Sequence, residues 1–332
     1  MTNLNILKII IDTINSKEKV STEKVGLKVI YNFFKKLETE KNKFNYAYLN
    51  YYLYNNISKE TVAKRKTTSR DFEDILATIF DGVITDEEKR VNSNKLNFYL
   101  ENETITGFAI SNKREKSDVR IGGNYFLSVK TLMSDNKEIN FGSLEKTTLF
   151  SGFNVEQYLN ERKGVNSEKI GLGSKPRLLN LLNGIKKHNQ YNKFRKRFSN
   201  LVKFVFSDDL IILIKDKTKI TLYFIEGDKF AQLLEEKSST PENLVTIINR
   251  WEGNSIRMNR EPIFGIGKKI NLDFSFLDKH VINKILKTED KISQYFIEYV
   301  NSYPNNIKYK KMIIDECSAV FKEIDKDINI LI

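Results

Sequence analysis

The sequence predicts a mixed α/β (α+β) chain: a central sheet flanked by helices, with further helices at both ends. Three observations predict it. Apolar residues recur at helical spacing before residue 81, switch to short β-type runs from 104 to 132, and return to helical spacing over the last third. With 332 residues, 40% of them hydrophobic, the chain can bury a sizeable core in one large domain or two.

Residues 3–60 read as helices, with Val29, Phe33, Phe34 and Leu37 on one stripe. The tyrosine-rich "YAYLNYYLYNN" reads as a helical or buried aromatic segment rather than a base-stacking platform. Thr67, Thr68 and Ser69 offer a helix N-cap. After it, Phe72, Ile75, Leu76, Ile79 and Phe80 form an apolar stripe, with Asp71 and Glu73 on its borders and Asp74 pointing away.

Strands follow at "TITGFAI" (104–110), "SDVRI" (117–121) and "YFLSVKTL" (125–132), the last two forming a hairpin around a Gly-Gly turn. A helix is expected at "KPRLLNLLNGIKKH" (175–188), then strands at "LVKFVF" with "DDLIILIKD" (201–216) and at "KITLYFIEG" (219–227). "DKFAQLLEEK", "PENLVTIINR", "FLDKHVINKIL", "KISQYFIEYVNSY" and "KMIIDECSAVFKEI" read as helices. The expected organisation is a helical N-terminal region (1–66), a core (67–235), and a recognition segment with a helical C-terminal region (236–332); the alternative is that the three form one compact domain.

Composition narrows the function. Fifty-five Lys and Arg against 43 Asp and Glu give a net charge of +12, which suits a polyanionic partner, although a Lys-, Asn- and Ile-rich composition also follows from AT-rich coding DNA. No apolar run reaches the length of a membrane span, and "NILKIII" lacks signal-peptide flanks. One cysteine, Cys317, excludes an internal disulfide and a four-thiolate zinc site, so a cytoplasmic location is expected. Two histidines far apart, His188 and His280, argue against a Ser-His-Asp triad.

The hairpin carries the chemistry. Alternation places Phe126, Ser128, Lys130 and Leu132 on one face of the second strand. That strand is apolar on both faces, so Lys130 calls for a carboxylate, and Asp118 lies just across the turn. The competing reading is a structural ion pair, or a lysine snorkelling from a strand end.

An aspartate, nine residues, then Ser-x-Lys resembles the PD-(D/E)xK nuclease superfamily, which includes most type II restriction endonucleases. The order of elements over 68–228 is similar too: acidic helix, strand, strand with Asp, strand ending in x-Lys, helix, further strands. The resemblance implies a restriction-endonuclease-like mixed sheet and Mg²⁺-dependent hydrolysis of phosphodiesters in double-stranded DNA. Asp118 would hold Mg²⁺, Lys130 would orient and acidify the attacking water, and the Val129 carbonyl would add a ligand. Two positions depart from the pattern: Ser117 replaces the proline, and Ser128 stands where the second acid belongs. Glu73 is the candidate for the missing charge, with Asp71 as an alternate. A homodimer would match a palindromic site.

DNA-gripping candidates lie in three segments. "MSDNKEINFGSLEKTTLF" (133–150) offers Lys137 and Asn140, with Asn136 and Ser143 beside them. "KKHNQYNKFRKRF" (186–198) offers Lys193, Arg195 and Arg197. "NRWEGNSIRMNR" (249–260) gathers Arg250, Asn254, Ser255, Arg257 and Arg260 around the only tryptophan. Arginine and asparagine have the donor geometry for guanine and adenine edges. For each segment the competing reading is ordinary surface, or, for the third, an arginine-stabilised turn with Trp251 as a core anchor. Two other functions remain open: a non-catalytic DNA-binding protein with a degenerate nuclease fold, and a DNA-repair nuclease. An RNA-binding module has no RRM- or KH-like signature here.

Overall fold

The computed structural model describes residues 7, 25–57, 69–85, 98–101, 104–108, 117–122, 125–143, 146–159, 172–252, 255–301 and 311. Among them a mixed six-stranded sheet is flanked by helices on both faces.

Helices α1 (Leu27–Thr39), α2 (Phe44–Ile57) and α3 (Ser69–Ile79) come first. The stripe expected on α3 is buried at Phe72, Ile75, Leu76 and Ile79. Next come β1 (Gly82–Ile84), the separate two-stranded pair β2 (Phe98–Glu101) and β3 (Thr104–Phe108), and the hairpin β4 (Val119–Ile121) and β5 (Tyr125–Met133). Gly122 opens the turn with φ +56°, a conformation that glycine adopts without strain. Strand β6 (Glu138–Ser143) and the short helices α4 (Lys146–Phe150) and α5 (Val155–Tyr158) follow.

The long helices α6 (Lys175–Lys187) and α7 (Tyr191–Val205) lead to β7 (Asp209–Lys215) and β8 (Lys219–Ile225). Ser174 caps α6 by accepting from the Arg177 N–H at 3.4 Å, and Pro176 lies in its first turn. Helices α8 (Gly227–Lys237) and α9 (Pro241–Ile247) precede the hairpin β9 (Ile248–Glu252) and β10 (Ser255–Asn259). Helix α10 (Arg260–Phe264), β11 (Lys268–Asp273) and α11 (Lys279–Asn301) complete the order.

The large sheet runs β1-β4-β5-β7-β8-β11. Strands β1, β4 and β5 form an antiparallel meander, β7 lies parallel to β5, and β8 and β11 are antiparallel again. A parallel step needs a long crossover, which α6 and α7 supply. A second sheet, β6-β10-β9, sits beside the first.

Alternation along β5 and β7 feeds two cores. Leu127, Val129, Ile211 and Leu213 face a core shared with α1, α2 and α3. Leu132, Leu210 and Ile212 face a core built with α6 to α9 and the inner side of the small sheet. A fully buried Leu or Ile contributes about 1.5–3 kcal/mol, so both cores hold the sheet.

Four segments differ from expectation. "LVKFVF" is the last part of α7, not a strand: Phe194, Phe198, Leu201 and Val202 extend one buried helical stripe through it. "PENLVTIINR" is helical only to Ile247 and then becomes β9. The surface segment at 133–150 contains β6 and α4. Strand β11 was not foreseen, because "KKINLD" shows only two buried positions in six. The segment "KMIIDECSAVFKEI" lies outside the described residues except Lys311.

Candidate functional site

The hairpin register puts Val119 opposite Leu127 and Arg120 opposite Phe126. One step further along, Asp118 stands just before β4, and its main chain is bonded to Leu127 rather than to Ser128. Main-chain bonds pin the aspartate on both sides. Its N–H donates to the Leu127 carbonyl at 3.1 Å, and its carbonyl accepts from the Thr85 N–H at 3.1 Å.

The Asp118 side chain then reaches across the strand. Oδ2 accepts from the Val129 N–H at 2.6 Å and lies 3.4 Å from Lys130 Nζ. Asp118 is 7% exposed and the Lys130 side chain 27%, so the carboxylate is sheltered and the lysine partly open to solvent. Ser117, which stands in the proline position, is fully buried.

Glu73, on α3, is 7% exposed, and α3 packs against β1, β4 and β5. It is therefore a buried carboxylate, on a helix that packs against the Leu127–Val129 face of the sheet rather than the Ser128–Lys130 face. Asp71, on the other border, interacts electrostatically with Lys215 at the far end of β7. Lys215 is buried, and burial pushes its pKa down to about 8, with Asp71 pulling the other way. Sequence reasoning missed Lys215.

The oxygens the hairpin offers here are hard: the Asp118 carboxylate and, from the residue whose N–H it accepts, the Val129 carbonyl. A strand residue turns its carbonyl to the same side as its N–H, here toward Asp118. Such a set suits Mg²⁺, which accepts one or two carboxylates and keeps several waters. Among the described residues, no group of three or more Asp, Glu, His or Cys side chains gathers at one point.

The other predicted residues separate into two sets. Lys137, Asn140, Arg250, Ser255 and Arg257 come together on the small sheet. Arg257 pairs with Asn140 on one side and Arg250 on the other, and Ser255 Oγ donates to Asn140 Oδ1 at 2.7 Å. Arg250 is paired with Glu138 at 2.9 Å. The inner face carries Trp251, Ile256 and Met258, all buried, so Trp251 is a core anchor.

Arg260 and Arg197 are turned to structural work instead. One Arg260 Nη donates to the carbonyls of Ser134 and Asn136 at 3.1 and 2.6 Å, and its Nε to Glu261 at 3.1 Å. Arg197 is 2% exposed, donates to the carbonyls of Leu149 and Ser151, and stacks over Phe153, so it is no DNA contact in this fold. Arg197 falls on the buried stripe of α7 beside Phe194 and Phe198, a position the run of basic residues conceals. Lys193 also lies over the Phe153 ring, and Arg195 is half-buried. Asn254 lies outside the described residues. No helix among the described residues is long and apolar enough to cross a membrane.

No protein-family model, no curated protein and no solved structure matches this chain, so its function is argued from its own residues.

Proposed function

We propose that this protein is a Mg²⁺-dependent endonuclease that cuts double-stranded DNA at a specific sequence, as a type II restriction enzyme does. The observation that carries the reading is the Asp118–Lys130 pair, 3.4 Å apart on neighbouring strands, with Ser128 on the same face. Setting aside the β2–β3 pair and β6, which lie outside the large sheet, the order around it is helix, strand, Asp118 leading into β4, strand with Lys130, helices, strand.

Asp118 holds Lys130 in place and keeps negative charge where a hard cation is wanted. A cation held by Asp118 would supply charge compensation for the phosphate and a more acidic water. Lys130, partly open to solvent, donates to the attacking water and to a phosphate oxygen. Ser128 adds a hydroxyl on the Lys130 face, and the negative charge rests on Asp118, because α3, which carries Glu73, packs on the opposite face of the sheet. The small sheet, with Lys137, Asn140, Arg250, Ser255 and Arg257, faces the DNA; Lys193 and Arg195 add to the positive field. A two-fold homodimer would match a palindromic target.

The test is incubation of supercoiled and long linear DNA with the protein, with Mg²⁺ or with EDTA. Discrete fragments are expected with Mg²⁺ alone. Lys130→Ala should lower cleavage at least a hundredfold while retaining DNA binding. Cleavage by Lys130→Ala at the normal rate would sink the proposal. One observation favours a second reading: Ser128 in place of an acid suits a protein that binds DNA without cutting it. Specific binding with no cleavage in Mg²⁺ or Mn²⁺ is its signature.

A further inference from the structure

An open concavity of about 600 Å³ lies between the polar face of the small sheet and the first turn of α6. Lys137, Lys175, Arg250, Arg257, Glu138 and Asn249 line it. Four cations against one carboxylate leave an excess of three positive charges. Arg250 and Arg257 stand directly opposite each other in the ladder, an arrangement that is unfavourable without an anion between them. Glu138 answers Arg250, at 3.0 Å to Nε and 2.9 Å to Nη2. Arg257 Nε is buried with no hydrogen-bond partner among the described residues, and so is Asn249 Oδ1. Both atoms lie beneath the surface, so the demand on a ligand comes from the wall itself: a surplus of three positive charges that calls for an anion.

We propose that this concavity binds a nucleotide through its phosphomonoester. A phosphomonoester carries nearly two negative charges at neutral pH, a better match to the surplus than the single charge of a diester. Inorganic phosphate alone would leave most of the volume unfilled, whereas the cavity is in the range for a small organic ligand. Arg257, Lys137 and Lys175 grip the phosphate. The sugar and base fill the remaining volume beside Asn136 and Asn249. The proposal rests on reading the small sheet as the nucleic-acid-facing element, and not on chemistry at Asp118. Free nucleotides and the 5′ end of a DNA strand share this group.

Calorimetric titration at low salt tests it, with dGMP, dAMP, deoxyguanosine and inorganic phosphate as probes, and a short single strand with a 5′-phosphate or a 5′-hydroxyl. A nucleotide should bind at least tenfold tighter than inorganic phosphate, and deoxyguanosine should not bind. Arg257→Ala should weaken nucleotide binding at least tenfold. So should Lys137→Ala with Lys175→Ala, a pair of exposed positions whose loss leaves folding intact. A tenfold preference for the 5′-phosphorylated strand identifies strand ends as the source; equal binding of the two strands identifies the free nucleotide. No nucleotide binding, equal affinity for inorganic phosphate, or insensitivity to both sets of substitutions overturns the proposal. Asp118→Asn and Lys130→Ala should leave nucleotide binding unchanged. A protein that binds dGMP but never nicks DNA therefore sinks only the nuclease reading.

Discussion

Two lysines define the chemistry at the scale of single residues, and they differ in what holds them. Lys130 has Asp118 beside it and solvent before it. Lys215 is buried at the end of β7, with its ammonium destabilised by burial and only partly offset by Asp71. Its folded pKa, about 8, lies below the unfolded value of 10.5, so above pH 8 the unfolded chain binds more protons than the folded one. Stability should therefore rise from pH 8 to 9.5, by an amount on the order of 1–2 kcal/mol. Burial raises the pKa values of Tyr48, Tyr52, Tyr125 and Tyr191, so their contribution is lost only at higher pH, once unfolded phenols ionise. Urea midpoints across this window should climb in the native protein and stay flat in Lys215→Met. The Asp118–Lys130 pair was legible because strand alternation and a tight turn leave few partners for a lysine in an apolar strand. Lys215 was not, because a lysine ending "DLIILIK" reads as one that reaches water; its burial is set by tertiary packing that no local pattern records.

Elements were legible where one period ran uninterrupted, as in α3, α6 and β5. "LVKFVF" misled because Val and Phe favour strands locally, while the stripe begun at Phe194 carries the helix through Val205. The small sheet was hidden for another reason. Strands β6 and β10 are far apart in sequence, and neither is stable until they pair. Arg260 ties them to the large sheet by holding the turn between β5 and β6. Arg260→Ala should destabilise the fold by about 1–3 kcal/mol in urea denaturation, and Lys should not restore it, because an ammonium lacks the forked donors.

The whole molecule carries a net charge of +12, and its described cations gather on the small sheet and on α7 more than around Asp118. Affinity for DNA should then be steeply salt-dependent. Six or more phosphate contacts would lower it about a thousandfold between 50 and 200 mM salt, measured by fluorescence anisotropy. Composition made this field legible, but not its shape. Arg197 and Arg260 count toward the charge, yet the fold spends both on carbonyls. The Arg260 clamp has a last consequence. Lys130 and Lys137 sit on one unbroken length of chain, with about 10 Å of strand from Lys130 to Met133 and a braced turn beyond. That length is a ruler: a nucleotide docked at one end would stand a constant number of bases from the bond broken at the other. Two residues inserted after Asp135 should move the cut without changing the sequence recognised.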